Sequence, residues 1–421
     1  VKLTLNKIGE NMKKFLIATI FSLVSTVAYA GGHSPCGVTD GKINILANEF
    51  TTLRIVMEEA EKCAGPDADF NVTFSVDHQK LQGPALAANP SEFSAKIVTN
   101  GSITPLMNEG LLRPLDDLVE KYGQNLNKSQ LITFDGKIYA VAFMANAQHI
   151  WYRESIFNEL GIAVPTTYEE VIAAAAKIKA SGRTPVGQTI EGRWPAFIWF
   201  EEFLIRSDPD FYEDLMEGRA KYTDPQVEEA FLTWKSWMDK GWMDDGSAAF
   251  GFTTGDSMNN SFSKGDVAHM LVGTWFASTV TGGGIAEGEE WGYFVVPNKD
   301  ASLKPSVIFE AGPIMVASNA KNKDSALEAI DFWMSKEASA KWTELMFFPP
   351  HNLGADLPSG EVGELVREIN DGGYRQINRY WEATPTEICE AAVDEISKFV
   401  LDPSSYKDVM ANLQTIADNY W

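Results

Sequence analysis

Large aromatic side chains occur in this sequence where a predicted strand gives way to a helix. Trp275 follows the apolar run HMLVGT at 269–274, Phe50 follows the first predicted strand, and Trp194 lies in EGRWPAF at 191–197. In open α/β sheets, ligands bind beyond the carboxyl ends of the strands. An indole at such a position offers a flat apolar face, which suits the C–H face of a sugar ring. The spacing therefore predicts non-covalent sugar binding, with burial in the core as the alternative for any single Trp.

Signals for catalysis or for a bound metal are weak in comparison. The five histidines, at positions 33, 78, 149, 269 and 351, show no metal-ligand spacing, and no Cys-x-x-Cys pair occurs. The sequence also contains no P-loop, no Gly-x-Ser-x-Gly elbow and no Gly-x-Gly-x-x-Gly turn after a strand. Carboxylates are numerous, so an acid–base pair stays open, but no motif marks one. We therefore expect a protein that is not an enzyme and that uses no cofactor or metal.

The composition is that of a globular protein with more than one lobe. Of its 421 residues, 45% are hydrophobic and 22% are charged, and a chain of this length usually exceeds what a single hydrophobic core serves. The formal net charge of −23 at pH 7 argues against a nucleic-acid partner, which would need basic patches. The same acidity leaves a cationic ligand, such as a polyamine, open.

The first thirty residues have the pattern of an export signal. Met12-Lys13-Lys14 is a basic start, residues 15–28 form an uncharged apolar run, and Ala28-Tyr29-Ala30 fits a cleavage site. We expect residues 1–30 to be an untranslated leader followed by a signal peptide, with the true start at Met12. A transmembrane anchor is the alternative, although the run is short for one. The pattern predicts a bacterial protein that is exported to the periplasm.

Export permits disulfide bonds, and the sequence has three cysteines, Cys36, Cys63 and Cys389. Cys36 comes just before the first predicted strand, and Cys63 ends the first predicted helix. In a βα unit these two points lie at the same end of the sheet. We therefore predict a Cys36–Cys63 disulfide, with free thiols as the alternative, and Cys389 is then the unpaired cysteine.

Predicted strands and helices alternate along the chain. Strands are predicted at 42–47, 70–76, 94–99, 137–143, 269–274, 291–297 and 312–318. The fourth of these strands follows a predicted turn at Asp135-Gly136. Helices are predicted at 51–63, within 109–121, at 168–180, after Asp224-Pro225, at 324–335 and from about 386. Thr167 and Glu170 form a capping box at the start of the third of these helices. Short strands separated by helices predict an α/β fold with a largely parallel sheet.

Four segments together resemble the extracellular solute-binding proteins of the maltose-binding type, which serve ABC importers. The first is 134–182, whose Asp-Gly-Lys-Ile-Tyr strand, Trp-Tyr-Arg turn and Gly-Ile-x-x-Pro-x-Thr-x-x-Glu helix start follow the family's order. In this segment Arg153 replaces the usual Asn. The other three are 107–123, with Gly-Leu-Leu-x-Pro-Leu-Asp, 262–276, with Gly-x-Trp at a strand end, and 321–335. The resemblance covers nearly all of the chain beyond residue 30.

The resemblance implies an α/β, two-lobed periplasmic-binding-protein (type II) fold with a hinge and an interlobe ligand cleft. The implied lobes are 31–142 plus 309–345 and 143–308 plus 346–421. The implied function is that of a monomeric periplasmic protein that captures a monosaccharide or short oligosaccharide by hinge closure. It would deliver this sugar to the membrane permease of an ABC transporter, with no nucleic-acid partner. A binding protein for a polyamine or other small solute, and an exported carbohydrate-active enzyme, are the alternatives.

Ligand contacts follow from the resemblance position by position. Trp275 with Gly273 matches the motif in which the family stacks an indole on the ligand. The other expected contacts are Asn48 and Glu49 after the first strand, Asn100 and Ser102 after the strand that ends at Thr99, Asn146 and Gln148 past the hinge strand, Glu191, Arg193 and Trp194 in a loop of the second lobe, and Glu310 before Gly312. Their amide, hydroxyl and charged groups would bind sugar hydroxyls. A cap or turn role is the alternative for each polar residue, with Asn48 as a helix cap and Arg193 in a surface ion pair.

Overall fold

The computed structural model describes residues 40–49, 53–54, 57, 67–75, 78–97, 103–126, 131–250, 256–282, 290–346, 350–356 and 360–421. The predicted leader, Cys36, Cys63, Phe50, Asn100 and Ser102 lie outside the described residues, as does most of the predicted helix at 51–63. The disulfide and the two contacts after Thr99 therefore stay predictions.

Within the described residues, ten strands form one sheet. They are β1 (Asp40–Asn48), β2 (Asp67–Ser75), β3 (Ala95–Ile97), β4 (Leu131–Phe134), β5 (Lys137–Arg153), β6 (Thr184–Val186), β7 (Val267–Gly273), β8 (Trp291–Phe294), β9 (Ser306–Val316) and β10 (Arg375–Asn378). Their order is β2-β1-β3-β9-β5-β7-β6, while β4 and β8 also pair with β5, and β10 pairs with β9.

Helices pack on this sheet and form most of the C-terminal part of the chain. They are α1 (His78–Ala87), α2 (Thr104–Asn108), α3 (Asp116–Tyr122), α4 (Glu154–Leu160), α5 (Tyr168–Ala180), α6 (Ala196–Ser207), α7 (Pro209–Met216), α8 (Pro225–Asp239), α9 (Ser257–Lys264), α10 (Phe276–Gly282), α11 (Lys323–Trp333), α12 (Lys336–Met346), α13 (Glu361–Asn370), α14 (Tyr380–Ala383), α15 (Thr386–Leu401) and α16 (Tyr406–Tyr420). No described helix combines the length and apolar character that crossing a membrane requires.

The prediction of a largely parallel sheet is wrong. The pairs β1–β2, β1–β3, β9–β10 and β6–β7 are parallel, but β3–β9, β4–β5, β5–β7, β5–β8 and β5–β9 are antiparallel. Every antiparallel pair contains β5 or β9, the two long strands. The strand predicted at 137–143 is the first part of β5, which continues to Arg153. Polar residues such as Asn146 and Gln148 interrupt the apolar pattern there, so the sequence concealed the length of β5.

Local sequence signals set the ends of several elements as predicted. At the start of α5, Glu170 N donates to Thr167 Oγ1 at 3.2 Å, and Thr167 N donates to the Glu170 carboxylate at 3.1 Å. This capping box satisfies two amides that the first helical turn leaves without partners. Asp135 and Gly136 have φ angles of 47° and 73°, which are the left-handed conformations that a tight turn between β4 and β5 requires.

The two largest hydrophobic cores among the described residues hold most of the elements in place. The larger core surrounds α6, of which Ala196 to Arg206 are buried, and it receives Phe231 and Trp234 from α8. The second core packs against β1, β7 and β9. Trp194, just before α6, packs against both cores, so the loop that carries it lies where the two cores meet.

Candidate functional site

The strand register shows that the carboxyl ends of two groups of strands face each other. β1 and β3 are parallel, and both run in the direction of β5, because β3 is antiparallel to β9 and β9 is antiparallel to β5. β6 and β7 are parallel to each other and run against β5. One group therefore ends at Asn48 and Ile97, and the other ends, facing it, at Val186 and Gly273.

The space between the two groups is spanned by residues 142–147 of β5 and 309–313 of β9, which are called here the crossing segment. The first group pairs with β9 level with Val141, and Gly273 of the second group lies opposite Gln148. At about 3.3 Å per residue, the stretch from Val141 to Gln148 is about 23 Å long. The crossing segment is therefore the floor of a candidate ligand site with strand ends on both sides.

The register brings several predicted contact positions together on this floor. Asn146 of β5 lies directly opposite Glu310 of β9, and Gln148 lies opposite Gly273 of β7. The side chains of Asn146 and Gln148 are outside the described part of the structure, so their roles as ligand contacts stay predictions. The backbone of Asn146 lies between the two groups of strand ends, whereas that of Gln148 lies level with the end of the second group.

Aromatic rings cluster beyond the carboxyl ends of β6 and β7. Trp275 is only 3% exposed, and its ring centroid lies 6.1 Å from that of Trp194 and 5.8 Å from that of Phe250. Trp194 and Phe250 also contact each other, at 5.7 Å, and Trp194 is half-buried. Trp275 therefore has features of both roles that the sequence left open. It follows the strand, as a ligand contact would, but it also packs in a core.

Phe250 is a member of this cluster that the sequence analysis missed. It is 7% exposed and lies in the segment AAFGF at 248–252, which has no strand or helix periodicity. An aromatic residue flanked by small residues was the available signal.

The loop after β6 holds Trp194 through an unusual backbone conformation. Arg193 has a φ of 68°, which is rare for a residue with a Cβ atom. Its Nη2 donates to the Glu390 carbonyl at 3.0 Å and to the Glu390 carboxylate at 3.2 Å. These bonds direct Arg193 toward α15, as in the surface ion pair that the sequence left open. Glu191 is exposed, and the roles of Glu191 and Arg193 as ligand contacts stay predictions.

At the opposite side of the site, Asn48 is the last residue of β1, and Glu49 follows it. Asn48 is 9% exposed, and Glu49 N donates to Ser75 O at 3.2 Å, which extends the pairing of β1 with β2. The Glu49 carboxylate forms an ion pair with Arg54 at 2.6 Å. Both residues therefore lie at the predicted strand end, and Glu49 already has a cationic partner.

Glu310 on the crossing segment is buried, with 5% of its surface exposed, and it forms an ion pair with Arg379. Burial opposes the charge of Arg379, but Glu310 and Glu382 together hold the pKa of its guanidinium above the usual range. The carboxylate of Glu310 is therefore fixed at the floor of the site. Among the described residues, no group of three or more His, Cys, Asp or Glu side chains is arranged to hold a metal ion.

Comparison with known proteins identifies the family of this chain. Residues 49–340 match the model of the bacterial extracellular solute-binding protein family. The chain belongs to this family. The match covers the crossing segment and the strand ends at Ile97, Val186 and Gly273, and it begins directly after Asn48. Most of the candidate site of this solute-binding protein therefore lies within the matched part.

This solute-binding protein is similar in sequence to two named relatives. It is 26% identical over 292 residues to the alpha-glucosides-binding periplasmic protein AglE of Rhizobium meliloti (strain 1021), a match that spans 63% of each chain. It is 25% identical over 333 residues to a putative binding protein of Brucella abortus (strain 2308), which spans 74% of this chain and 76% of the relative.

Solved structures show that the fold of this solute-binding protein is that of a type II periplasmic binding protein. A chitin oligosaccharide binding protein superposes with a TM-score of 0.72 at 18% identity, over 90% of this chain and 98% of its own. The binding protein RafE in complex with raffinose superposes with a TM-score of 0.71 at 17% identity, over 90% and 99% of the two chains. The two-lobed α/β fold predicted from the sequence is thereby confirmed.

Proposed function

We propose that this solute-binding protein captures a neutral sugar, either a monosaccharide or a short oligosaccharide, between its two groups of strand ends. The observation that carries the proposal is the cluster of Trp194, Phe250 and Trp275 beside a floor that bears Asn146 and Glu310. Aromatic faces bind the apolar faces of sugars, and amide and carboxylate groups bind the hydroxyls at the edge. The protein needs no catalytic step for this role.

The relatives support the same class of ligand. AglE is named for binding α-glucosides, and the two solved structures are named for chitin oligosaccharide and raffinose. We further propose that the chain is exported to the periplasm as a monomer and delivers its sugar to the membrane permease of an ABC transporter. An uncharacterized binding protein of Pyrococcus horikoshii, 25% identical over 338 residues, is named as an ABC transporter component.

Capture requires the two sides of the site to approach each other, and the crossing segment is the proposed hinge. A shift of register between Ala142 and Met144 lies opposite Gly312 and Pro313. Bulges, glycine and proline all weaken a strand ladder locally, so bending is least costly there. The proposed lobes are 31–142 plus 309–345 and 143–308 plus 346–421. The boundaries at 142/143 and 308/309 lie at this segment, and the third lies at the end of α12.

The test is a thermal-shift screen of the full chain, expressed with its leader and purified after export. The panel contains α-glucosides, raffinose, chitin oligosaccharides, galactose, polyamines and amino acids. A ligand that binds only the native state raises the melting temperature by mass action. We expect shifts with one or a few sugars, together with a smaller radius of gyration on binding. Shifts with polyamines alone would overturn the proposal that the ligand is a sugar. Steady consumption of a sugar would show that the protein is an enzyme.

A further inference from the structure

A buried arginine ties the crossing segment to the C-terminal part of the chain. Arg379 is 5% exposed, and its Nη1 pairs with the Glu310 carboxylate. Its backbone N donates to Phe309 O at 3.1 Å, which continues the ladder in which Asn378 of β10 lies opposite Phe309 of β9. Arg379 thus contacts β9 through its backbone and through its side chain.

The other edge of the same guanidinium is held by Glu382. Arg379 Nε and Nη2 donate to the two oxygens of Glu382 at 2.8 Å and 2.6 Å. This bidentate pair sets the plane of the guanidinium as well as its distance. The Nη1 that meets Glu310 therefore has a fixed direction.

The segment that carries Arg379 is itself anchored in the larger core. Tyr380 N donates to Glu201 Oε2 at 2.6 Å, and the Tyr380 ring stacks on Phe197 at 4.5 Å. Glu201 is fully buried, and burial raises the pKa of its carboxyl well above the usual range, against the charge of Arg379. The Tyr380 hydroxyl also shares a hydrogen bond of 2.6 Å with Tyr222. Arg379 therefore cannot shift without disturbing this packing.

We propose that Arg379 is a positioning residue for the ligand site, which fixes the Glu310 carboxylate on the crossing segment as an acceptor for a sugar hydroxyl. The inference rests on the proposed function, since it presumes that a sugar reaches Glu310. A carboxylate held in one orientation loses no freedom when the ligand binds, and preorganisation of this kind raises affinity. Nothing in the sequence indicated this role, because Arg379 is far from every predicted contact.

The test is a double-mutant cycle on sugar affinity with Arg379→Lys, Glu310→Gln and both together. The probe is the sugar of the panel that raises the wild-type melting temperature most. We expect Arg379→Lys to weaken binding about tenfold or more, because lysine keeps the charge but not the bidentate geometry. In the Glu310→Gln background the same change should alter affinity less than about twofold, since the group it positions is gone.

The matched control is Arg375→Lys in the same segment, whose pairs with Asp210 and Glu213 are far more exposed. This variant should bind the sugar like the wild type. Should Arg379→Lys fail to fold, Glu382→Gln takes its place in the cycle. Additive effects of the two changes, or an equal loss in the Arg375 variant, overturn the inference and leave the proposed function intact. A wild type that binds no sugar overturns both.

Discussion

The indole rings of Trp194 and Trp275 meet edge to face, with their planes at 69° and their centroids 6.1 Å apart. They come from different loops, one after β6 and one after β7, and the parallel pairing of these strands brings them together. Trp275 is nearly inaccessible, whereas Trp194 keeps part of its surface exposed. Of the two rings, Trp194 is the one that a ligand can reach without rearrangement of the cluster.

Replacing each tryptophan by alanine should separate binding from stability. We expect Trp194→Ala to weaken sugar binding about tenfold or more while costing less than about 2 kcal/mol of unfolding free energy. Trp275→Ala should also weaken binding, and should cost about 3–5 kcal/mol because it leaves a cavity in the core. Calorimetric titration and urea unfolding measure the two effects. Unchanged affinity in the Trp194 variant would remove this cluster from the ligand site.

Arg153 departs from the family pattern, in which an Asn is usual. In the structure its long side chain reaches three backbone carbonyls. Its guanidinium donates to Glu290 O at 3.1 Å, to Phe262 O at 3.0 Å and to Ser263 O. Two of these carbonyls belong to the last turn of α9, where a cation is favourable. Arg153→Asn should therefore destabilise the protein by about 2–4 kcal/mol and leave sugar affinity unchanged.

The control for this variant is Arg183→Asn. Arg183 pairs with Glu159 at 2.7 Å, and both side chains are partly or largely exposed, so its loss should cost about 1 kcal/mol or less. Equal costs for the two variants in chemical unfolding would show that the bonds of Arg153 to the three carbonyls add no stability.

Lys96 on β3 is 1% exposed, and its Nζ donates to Gln82 Oε1. Burial lowers the pKa of this amine to about 7, below the ordinary value of about 10.4. Between these two values the unfolded chain binds one proton more than the folded chain, so stability rises with pH. We expect a contribution of about 1 kcal/mol per pH unit between pH 8 and pH 9. Unfolding of Lys96→Met should lack this slope, while Lys80→Met, at an exposed position of α1, should retain it.

His269 should make the protein sensitive to mild acid. Burial lowers the pKa of its imidazole to about 3, while the unfolded chain takes up the proton near pH 6.5. Stability is therefore lost as pH falls through this range, by about 2 kcal/mol between pH 6.5 and pH 5. His269→Phe, which keeps the edge contacts with Phe157 and Phe294, should lose correspondingly less over the same interval. Parallel stability curves for the two proteins would contradict the assignment.

The sequence predicted most elements because their signals are local. The Thr167 capping box and the Asp135-Gly136 turn each depend on a few neighbouring residues, and both are confirmed. Strand direction is different, since it depends on which distant strand comes alongside. Nothing near Ala95 in the chain indicates that its partner is Val316 in an antiparallel pair, so the parallel sheet was predicted wrongly.

For the same reason, only the local features of the candidate site could be predicted from the sequence. The place of Trp275 after a buried strand is a local property, and it was predicted. Its burial depends on Trp194 and Phe250, which reach it from two other loops. The pairing of Glu310 with Arg379 likewise joins residues that only the folded sheet brings together. Contacts between residues so far apart in the chain cannot be predicted from the spacing of residues in the sequence.

The antiparallel pairing of β3 with β9 also governs the order in which the chain can fold. The first group of strands gains its neighbour in the sheet only after synthesis has passed residue 316, and β10 pairs with the same edge of β9 later still. Contacts between such distant segments form slowly, because a long loop must close first. A nascent chain that cannot finish its sheet early stays unfolded for longer, and an unfolded polypeptide is what a secretion channel accepts. For the proposed export, the topology that builds the candidate site is therefore expected to keep the nascent chain unfolded for longer.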